Sequence, residues 1–242
     1  MKKQFILIHG AWHGGWCWEQ VAAELKKAGH GVQTPTMPGH HKNDDRTHIC
    51  LEDYIESIVS TIEKTRKTVV LVGHSSAGFL IQSAAARVPE KIEHLIFNNA
   101  FILPQGNCQF DMVPPEVAQA MTAAATASPD NCVPIMEDFV RNALMPDASK
   151  QIQDDLIARL VPQPLALFTT PVDLTGFEQG TFLKTLLFCK QDQSLPEGAY
   201  LGMAQALGHM NIIELDLGHE GLFTHPKQVA AGLLKAITPP DA

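Results

Sequence analysis

Basic side chains are scarce in this sequence, and their scarcity excludes one class of partner. Its 242 residues include 18 lysines and arginines against 26 aspartates and glutamates, which gives a formal net charge of −8. Binding to nucleic acid or to an anionic membrane surface depends on clustered positive charge. We therefore expect neither nucleic acid nor a membrane among the partners of this protein.

Cysteines are few, and their spacing excludes two kinds of small scaffold. The five cysteines are an odd number and none belongs to a CxxC pair, so neither a disulfide framework nor a structural zinc site is expected. This usage fits a reducing compartment, and we expect a cytoplasmic location. The cysteines are Cys17, Cys50, Cys108, Cys132 and Cys189.

Long apolar runs are also missing. No stretch approaches the roughly 18 apolar residues of a membrane span. The start, Met1-Lys2-Lys3, resembles that of a signal peptide, but the apolar run at 5–8 stops at His9-Gly10, too soon for the apolar core of such a peptide. With 45% apolar and 18% charged residues, the chain has the composition of one globular domain.

Short apolar runs alternate with helix-spaced apolar residues over most of the chain. This alternation predicts a parallel sheet with helices on both faces. The predicted strands are 5–8, 31–34, 68–72, 92–97, 182–189 and 212–215. The predicted helices between and after them are 18–28, 51–65, 76–87, 199–207 and 226–237.

The alternation stops after residue 101. From about 103 to 180 the chain is rich in proline and has two alanine-rich helical stretches, near 116–126 and 151–160. This pattern predicts an insertion of helices and loops between two strands of the sheet. We therefore expect a single domain, 1–242, that carries this insertion at about 103–180.

A tight turn with two serines follows the third predicted strand and opens a helix. A nucleophilic serine on such a strained turn needs small residues two positions before and two positions after it. Ser75 has Gly73 and Ala77 there, whereas Ser76 would have the bulky His74 on one side. Ser75 is the predicted nucleophile, although Ala77 replaces the usual glycine. The simpler alternative is a glycine-rich turn whose serines only cap the helix.

An acid and a base follow the nucleophile in the required order. A serine hydroxyl needs a base, and the base needs an orienting carboxylate. On sheets with such a turn, the chain order is serine, then acid, then histidine. Asp192 and His219 each come just after a predicted strand, at the carboxyl end where ligand sites form. They are the predicted acid and base.

Other acids and histidines compete for these roles. Asp192 could be a plain turn residue, and Asp216 and Glu214 are alternative acids on or beside the strand that precedes His219. His209 precedes that strand and would lie at its wrong end. His225 stands before Pro226, as the first residue of the last helix.

Acyl transfer also needs donors for the developing oxyanion. One is the backbone N–H of Ser76, directly after the nucleophile. The loop after the first strand, with glycines that permit the necessary turn, supplies the second, and Ala11 is the predicted donor. His9 and His13 are expected to shape this loop through hydrogen bonds rather than to catalyse.

Together these residues predict hydrolysis through an acyl-enzyme. Ser75 attacks a carbonyl with His219 as base, while Asp192 orients the imidazole and stabilises its charge. The N–H groups of Ala11 and Ser76 hold the oxyanion, and water then releases the acid. This chemistry needs no metal and no cofactor, and none is expected.

Four segments resemble the plant methyl esterase and hydroxynitrile lyase family and its bacterial esterase relatives, within the α/β-hydrolase superfamily. The likeness covers nearly the whole chain and is weakest from about 106 to 147. The paired His-Gly loop is more specific than the serine turn, which many hydrolases share. The segments are His-Gly-Ala-Trp-His-Gly-Gly-Trp-Cys-Trp at 9–18, Val-Gly-His-Ser at 72–75, Pro-Glu-Lys-Ile at 89–92 leading to Ala-Phe-Ile-Leu-Pro at 100–104, and Cys-Lys-Gln-Asp-Gln-Ser-Leu-Pro at 189–196.

The resemblance implies an α/β-hydrolase fold, with about six mostly parallel strands beneath a helical cap. It also implies a buried, mostly apolar pocket between cap and sheet, and it suggests a homodimer. Such pockets favour small apolar or aromatic compounds as substrates. The candidate pocket walls are Trp12, Phe79, Phe101, Phe139, Phe168 and Leu222.

Members that cleave cyanohydrins differ from this chain at two places. They carry threonine where this chain has Ala11, and lysine directly after the histidine, where this chain has Glu220. A lysine stabilises the cyanide leaving group and a glutamate opposes it, so an esterase is favoured over a lyase. Glu220 is expected at the mouth of the site, and Ser76-Ala77 replaces the Leu-Gly common in the family.

Several other functions remain open on this scaffold. Amide, carbamate and lactone hydrolases would use the same triad, because pocket shape and proton delivery decide the leaving group. A non-catalytic ligand receptor of this fold can keep a triad. Cofactorless dioxygenases of this fold are similar to this chain in having a histidine and an auxiliary acid. Epoxide hydrolases and dehalogenases use an aspartate at the turn, which Ser75 argues against.

Overall fold

Six strands form the central sheet in the computed structural model, which describes residues 2–238. The strand order is β2-β1-β3-β4-β5-β6, and every neighbouring pair is parallel. This confirms the predicted α/β-hydrolase architecture, with all six strands near their expected positions. The strands are β1 (Gln4–Ile8), β2 (Gly31–Gln33), β3 (Val69–Ser75), β4 (Ile92–Ala100), β5 (Leu183–Cys189) and β6 (Asn211–Leu215).

Helices cover both faces of this sheet, which explains why residues 5–8 of β1 and 69–72 of β3 are unbroken apolar runs. Alternate residues of β1 point to opposite faces: Phe5 and Leu7 pack in one cluster with residues of α1 and α7, whereas Ile6 and Ile8 pack in another with α2 and α3. The longer helices are α1 (Glu19–Lys27), α2 (Leu51–Glu63), α3 (Ala77–Arg87), α4 (Pro115–Thr126), α5 (Lys150–Ile157), α6 (Ala199–Ala206) and α7 (Pro226–Ala236).

The segment between β4 and β5 has little regular structure beyond α4 and α5, and we call residues 103–180 the cap segment. Two-residue strands at Cys132–Val133 and Gln163–Pro164 pair antiparallel within it, and the π-helix Val140–Leu144 lies between them. The sequence predicted the two helices but neither of these smaller features. Further short helices of the protein are Gly15–Trp18, Pro89–Lys91, Gln109–Met112, Glu137–Phe139, Ala166–Thr169, Phe177–Gln179 and Gly221–Thr224.

Trp12 joins the loop after β1 to the cap segment. Its backbone N–H donates to Gln163 Oε1 at 3.1 Å, and its indole N–H donates to the Val133 carbonyl at 3.1 Å. The Val161 N–H in turn donates to the Trp12 carbonyl at 2.9 Å. Among the helices of residues 2–238, none is both long and apolar enough to cross a bilayer.

Candidate active site

Ser75 lies at the carboxyl end of β3, in the strained conformation that the turn predicts. Its φ is +54°, a region that residues other than glycine rarely adopt. A methyl group on Gly73 would lie 2.7 Å from the Ala77 carbonyl oxygen, so only glycine fits there. Ser76 is the N-cap of α3, but its side chain makes no capping hydrogen bond. The capping alternative therefore lacks support.

Asp192 and His219 meet at the adjacent strand ends. Asp192 follows β5 and His219 follows β6, and His219 Nδ1–H donates to Asp192 Oδ2 at 2.6 Å. Burial opposes the charge of the carboxylate, but His219 and hydrogen-bond donors outweigh it and bring the Asp192 pKa down to about 2. Burial also lowers the His219 pKa, yet Asp192 raises it overall. The pair is thus arranged as an anion that supports an imidazolium.

Asn99 fixes the position of Asp192, and sequence reasoning missed it. Its side-chain N–H groups donate to Asp192 Oδ2 and to the Cys189 carbonyl, while its Oδ1 accepts the Cys189 N–H at 2.7 Å. Asn99 has φ +38° and lies at a register shift between β3 and β4. An asparagine at a strand end, a residue type that tolerates positive φ, was the one available signal.

Ser194 and Tyr200 complete the surroundings of His219. Ser194 Oγ lies 3.1 Å from His219 Nδ1 and 2.9 Å from the Tyr200 hydroxyl, and the Ser194 N–H donates to Asp192 Oδ1 at 2.8 Å. The Tyr200 ring is stacked near the imidazole, with centroids 6.4 Å apart. Asp192 and His219 are therefore each held by several contacts.

The loop after β1 lies directly against Ser75, the predicted nucleophile. A methyl group on Gly10 would come within 2.8 Å of Ser75 Cβ, so glycine is required for this approach. Trp12 has φ +64°, which turns the chain sharply just after Ala11. Ala11 and Ser76 both line the same cavity as Ser75. The structure therefore brings the two predicted oxyanion donors to the predicted nucleophile.

Histidines shape this loop, as the sequence led us to expect. His9 Nε2 accepts the Met37 N–H at 3.0 Å, which leaves its Nδ1–H to donate to the Gly10 carbonyl. His13 Nδ1–H donates to the Ala11 carbonyl at 2.8 Å, and His40 Nδ1–H donates to the His13 carbonyl.

Glu220 does not stand at the mouth of the site. Its residue surface is only 2% exposed, and Oε2 lies 3.4 Å from His13 Nε2. The expectation of a charge at the mouth of the site is wrong: Glu220 lines the cavity from a buried position, because His13 from a distant segment is its buried partner. His74 is buried beside it and donates from Nε2 to the His219 carbonyl at 3.1 Å. Ligand atoms of Glu220, His74 and His219 all lie within 4.8 Å of one another, although both histidines already have protein partners.

A cavity of about 560 Å³ opens above Ser75, between the sheet and the cap segment. Trp12, Phe101 and Phe139 line it, whereas Phe79, Phe168 and Leu222 do not and are fully buried in the core. This corrects three of the six proposed walls: an apolar side chain that packs in the core has the same sequence signature as one that faces a cavity. Apolar walls that were missed are Val113, Val117, Met121, Met136, Leu144 and Leu195.

Two proteins of similar sequence have names that agree with the chemistry suggested by the geometry of the site. A carbendazim hydrolyzing esterase from Nocardioides sp. (strain SG-4G) is 31% identical over an alignment of 239 positions that covers 95% of this chain and 97% of that protein. Methylesterase 1 of Arabidopsis thaliana is 26% identical over an alignment of 253 positions that covers 97% of this chain and 95% of that protein. Both names agree with the prediction of a carboxylic ester hydrolase.

A solved structure and a family model extend this likeness to the fold. An extracellular α/β-hydrolase from a Paenibacillus species, described as structurally and functionally homologous to tobacco salicylic acid binding protein 2, superimposes with a TM-score of 0.91. It is 28% identical and covers 97% of this chain and 98% of that chain. The model of the alpha/beta hydrolase family matches residues 5–232. These matches confirm the resemblance drawn from the four sequence segments, and the chain belongs to the alpha/beta hydrolase family.

Proposed function

We propose that this protein is a serine esterase that hydrolyses neutral esters of small apolar or aromatic compounds. The observation that carries the proposal is that one cavity is lined by Ser75 on its strained turn, by the Asp192-bound His219, and by the donor residues Ala11 and Ser76. Each of these elements occurs in other settings, but their convergence suits acyl transfer.

The first half-reaction makes an acyl-enzyme. Ser75 Oγ attacks the ester carbonyl while its proton passes to His219 Nε2, the ring nitrogen not engaged by Asp192. The carbonyl oxygen becomes an oxyanion that accepts from the N–H groups of Ala11 and Ser76. As the C–O bond to the alcohol breaks, the imidazolium returns the proton to the leaving alkoxide oxygen.

The second half-reaction releases the acid. A water molecule gives its proton to His219 and attacks the acyl carbon, the tetrahedral intermediate collapses, and Ser75 recovers its proton. Asp192 stays ionised throughout, which its low pKa favours.

The charges around the cavity favour neutral substrates. Its described lining contains Glu116 and Glu220 but no lysine or arginine, and most of the other walls are apolar. A substrate that carries a carboxylate would find no lysine or arginine there, and the acid product is repelled once it ionises. The volume of about 560 Å³ falls within the range of pockets for drug-sized molecules.

A carbamate is the second candidate substrate class, and the name of the Nocardioides relative favours it. The triad would attack a carbamate carbonyl in the same way, so pocket shape decides between the two. A cyanohydrin substrate is disfavoured, because the charged residue beside His219 is the carboxylate Glu220 rather than a cation.

The decisive experiment compares wild type with Ser75→Ala on methyl and aryl esters, a lactone, carbendazim and a cyanohydrin. We expect ester turnover in wild type and a loss of at least about 10⁴-fold in kcat in the variant. Ser60→Ala, an exposed serine on α2, is the matched control and should behave as wild type. Ester turnover that survives in Ser75→Ala would overturn the proposal.

A homodimer and a cytoplasmic location remain part of the proposal. Light scattering coupled to size-exclusion chromatography tests the first, and cell fractionation tests the second.

A further inference from the structure

Two buried ionisable groups next to the proposed triad have no role in the mechanism above. His13 and Glu220 are 3% and 2% exposed, and their nearest charged atoms, Nε2 and Oε2, lie 3.4 Å apart. His13 belongs to the loop that carries Ala11, and Glu220 directly follows His219. The contact therefore joins the proposed oxyanion loop to the segment that holds the proposed base.

The orientation of the His13 ring fixes where its protons lie. Nδ1 is 2.8 Å from the Ala11 carbonyl oxygen, which can only accept, so Nδ1 carries a hydrogen. Nε2 then faces the Glu220 carboxylate. If His13 Nε2 were unprotonated and Glu220 ionised, a nitrogen lone pair would face a carboxylate oxygen in a buried site, which is unfavourable at low dielectric. One proton must therefore lie between them.

No other group near Glu220 can supply that proton as well as His13. Within residues 2–238 neither carboxylate oxygen has a hydrogen-bond donor. His74 faces Glu220, but burial lowers its pKa to about 3 and its Nε2–H is used by the His219 carbonyl. His219 is directed to Asp192, and burial raises the pKa of the Cys17 thiol.

Of the histidines that face His13, His219 lowers its pKa, whereas His9 and His40 carry no charge that opposes its proton. Burial lowers the pKa of His9 and of His40, which keeps both rings uncharged at neutral pH. For His13 itself burial lowers the pKa, but Glu220 raises it overall. The opposite change holds for Glu220, whose pKa burial raises and His13 lowers overall.

We propose that His13 and Glu220 share one proton as a buried imidazolium–carboxylate pair that fixes the Ala11 loop against the His219 segment, both acting as positioning residues. The shared proton itself does not depend on the proposed esterase function. Only the expected effect of the pair on turnover rests on that function.

The pair predicts an alkaline limb in the pH profile of kcat, that is, a fall of kcat as the pH rises. The His13 pKa is raised, so the proton is lost only as the pH rises above the ordinary histidine range. Its loss leaves Glu220 as an uncompensated buried charge that repels the His13 lone pair, which displaces the Ala11 loop and lowers kcat. In Glu220→Gln the amide N–H can donate to a neutral His13 Nε2, so the geometry is kept without a titrating proton.

The first test reads the proton directly, without activity. Long-range ¹H–¹⁵N spectra of the wild-type protein report whether each ring nitrogen is protonated, and the His13 signals are assigned through contacts with the Trp16 ring, 5.6 Å away. We expect both His13 nitrogens to be protonated at pH 7.5, and only Nδ1 in Glu220→Gln. A neutral Nδ1–H ring in wild type at this pH would overturn the proposal.

The second test measures kcat and KM for a neutral ester between pH 6 and 10. We expect wild-type kcat to fall about tenfold per pH unit on the alkaline side, and the fall to be absent in Glu220→Gln. Glu214→Gln, an exposed glutamate on β6, is the matched control and should keep the limb. A limb that persists in Glu220→Gln would contradict the proposal. If wild type turns over no ester while His13 is doubly protonated, the pair stands and the proposed function fails.

Discussion

The carboxyl edge of the sheet and the cap segment meet at one cavity but contribute different kinds of residues to it. The sheet edge and its loops supply Ser75, Asp192, His219 and the two N–H donors, each held by backbone geometry or by buried hydrogen bonds. The cap segment supplies mainly apolar walls such as Met121 and Phe139. Under the proposed function, residues of the sheet edge carry out the reaction, and the cap segment contributes most of the apolar walls that select among substrates. We therefore expect substitutions at the sheet edge to lower turnover of every ester, and substitutions in the cap to act on some esters only.

Asp192→Asn should have the largest effect among these. The amide cannot stabilise the imidazolium and favours the wrong ring tautomer, so kcat should fall by about 10⁴-fold for every ester. Steady-state kinetics on a short and a bulky ester measure this. Asp216→Asn, an exposed acid just beyond β6, is the control and should retain activity. A loss confined to bulky esters would break the division between sheet and cap.

Gly78→Ala tests the packing of α3 beneath Ser75, the proposed nucleophile. An added methyl group would lie 2.2 Å from the Phe101 carbonyl oxygen, so α3 could not pack on β4 without moving. We expect the free energy of unfolding to fall by about 3 kcal/mol, measured by urea denaturation.

Gly202→Ala, in α6, gives the matched comparison. An added methyl group there meets no atom within 4 Å, so the same change should stabilise the protein by about 0.5–1 kcal/mol. Equal effects at the two glycines would contradict the packing argument.

The pH dependence of kcat/KM tests the electrostatics of the sheet edge. Burial lowers the His219 pKa but Asp192 raises it overall, and the base must be neutral to accept the serine proton. Activity should therefore rise with pH through a midpoint above the ordinary histidine value of about 6.5. Below that midpoint kcat/KM should fall by about tenfold per pH unit for short and bulky esters alike. A midpoint below pH 6 would show that burial outweighs Asp192.

The difference between the sheet edge and the cap segment also explains which parts of the structure could be predicted from the sequence. The strands and the Ser75 turn carry local signals, namely unbroken apolar runs and small residues at fixed spacing. Asp192 and His219 could be chosen because they follow predicted strands. The small strands and the π-helix of the cap carry no periodic signal, and Phe79 and Phe139 look alike until their neighbours are known. Glu220 was misplaced for the same reason, since its partner His13 is remote in the chain.

Phe139→Ala should have the smallest effect on turnover, and it separates the role of the cap segment from that of the sheet edge most clearly. Its ring lines the cavity from the cap segment, and its removal forfeits about 1–2 kcal/mol of contact with a bulky acyl or aryl group. We expect KM for an aryl ester to rise by about tenfold, while kcat for an acetyl ester stays within twofold of wild type. Ile152→Ala, an exposed residue on α5, is the control and should change neither value. If Phe139→Ala instead lowered kcat for all esters equally, the cap would also be positioning the triad, and the separation of reaction from substrate choice would fail.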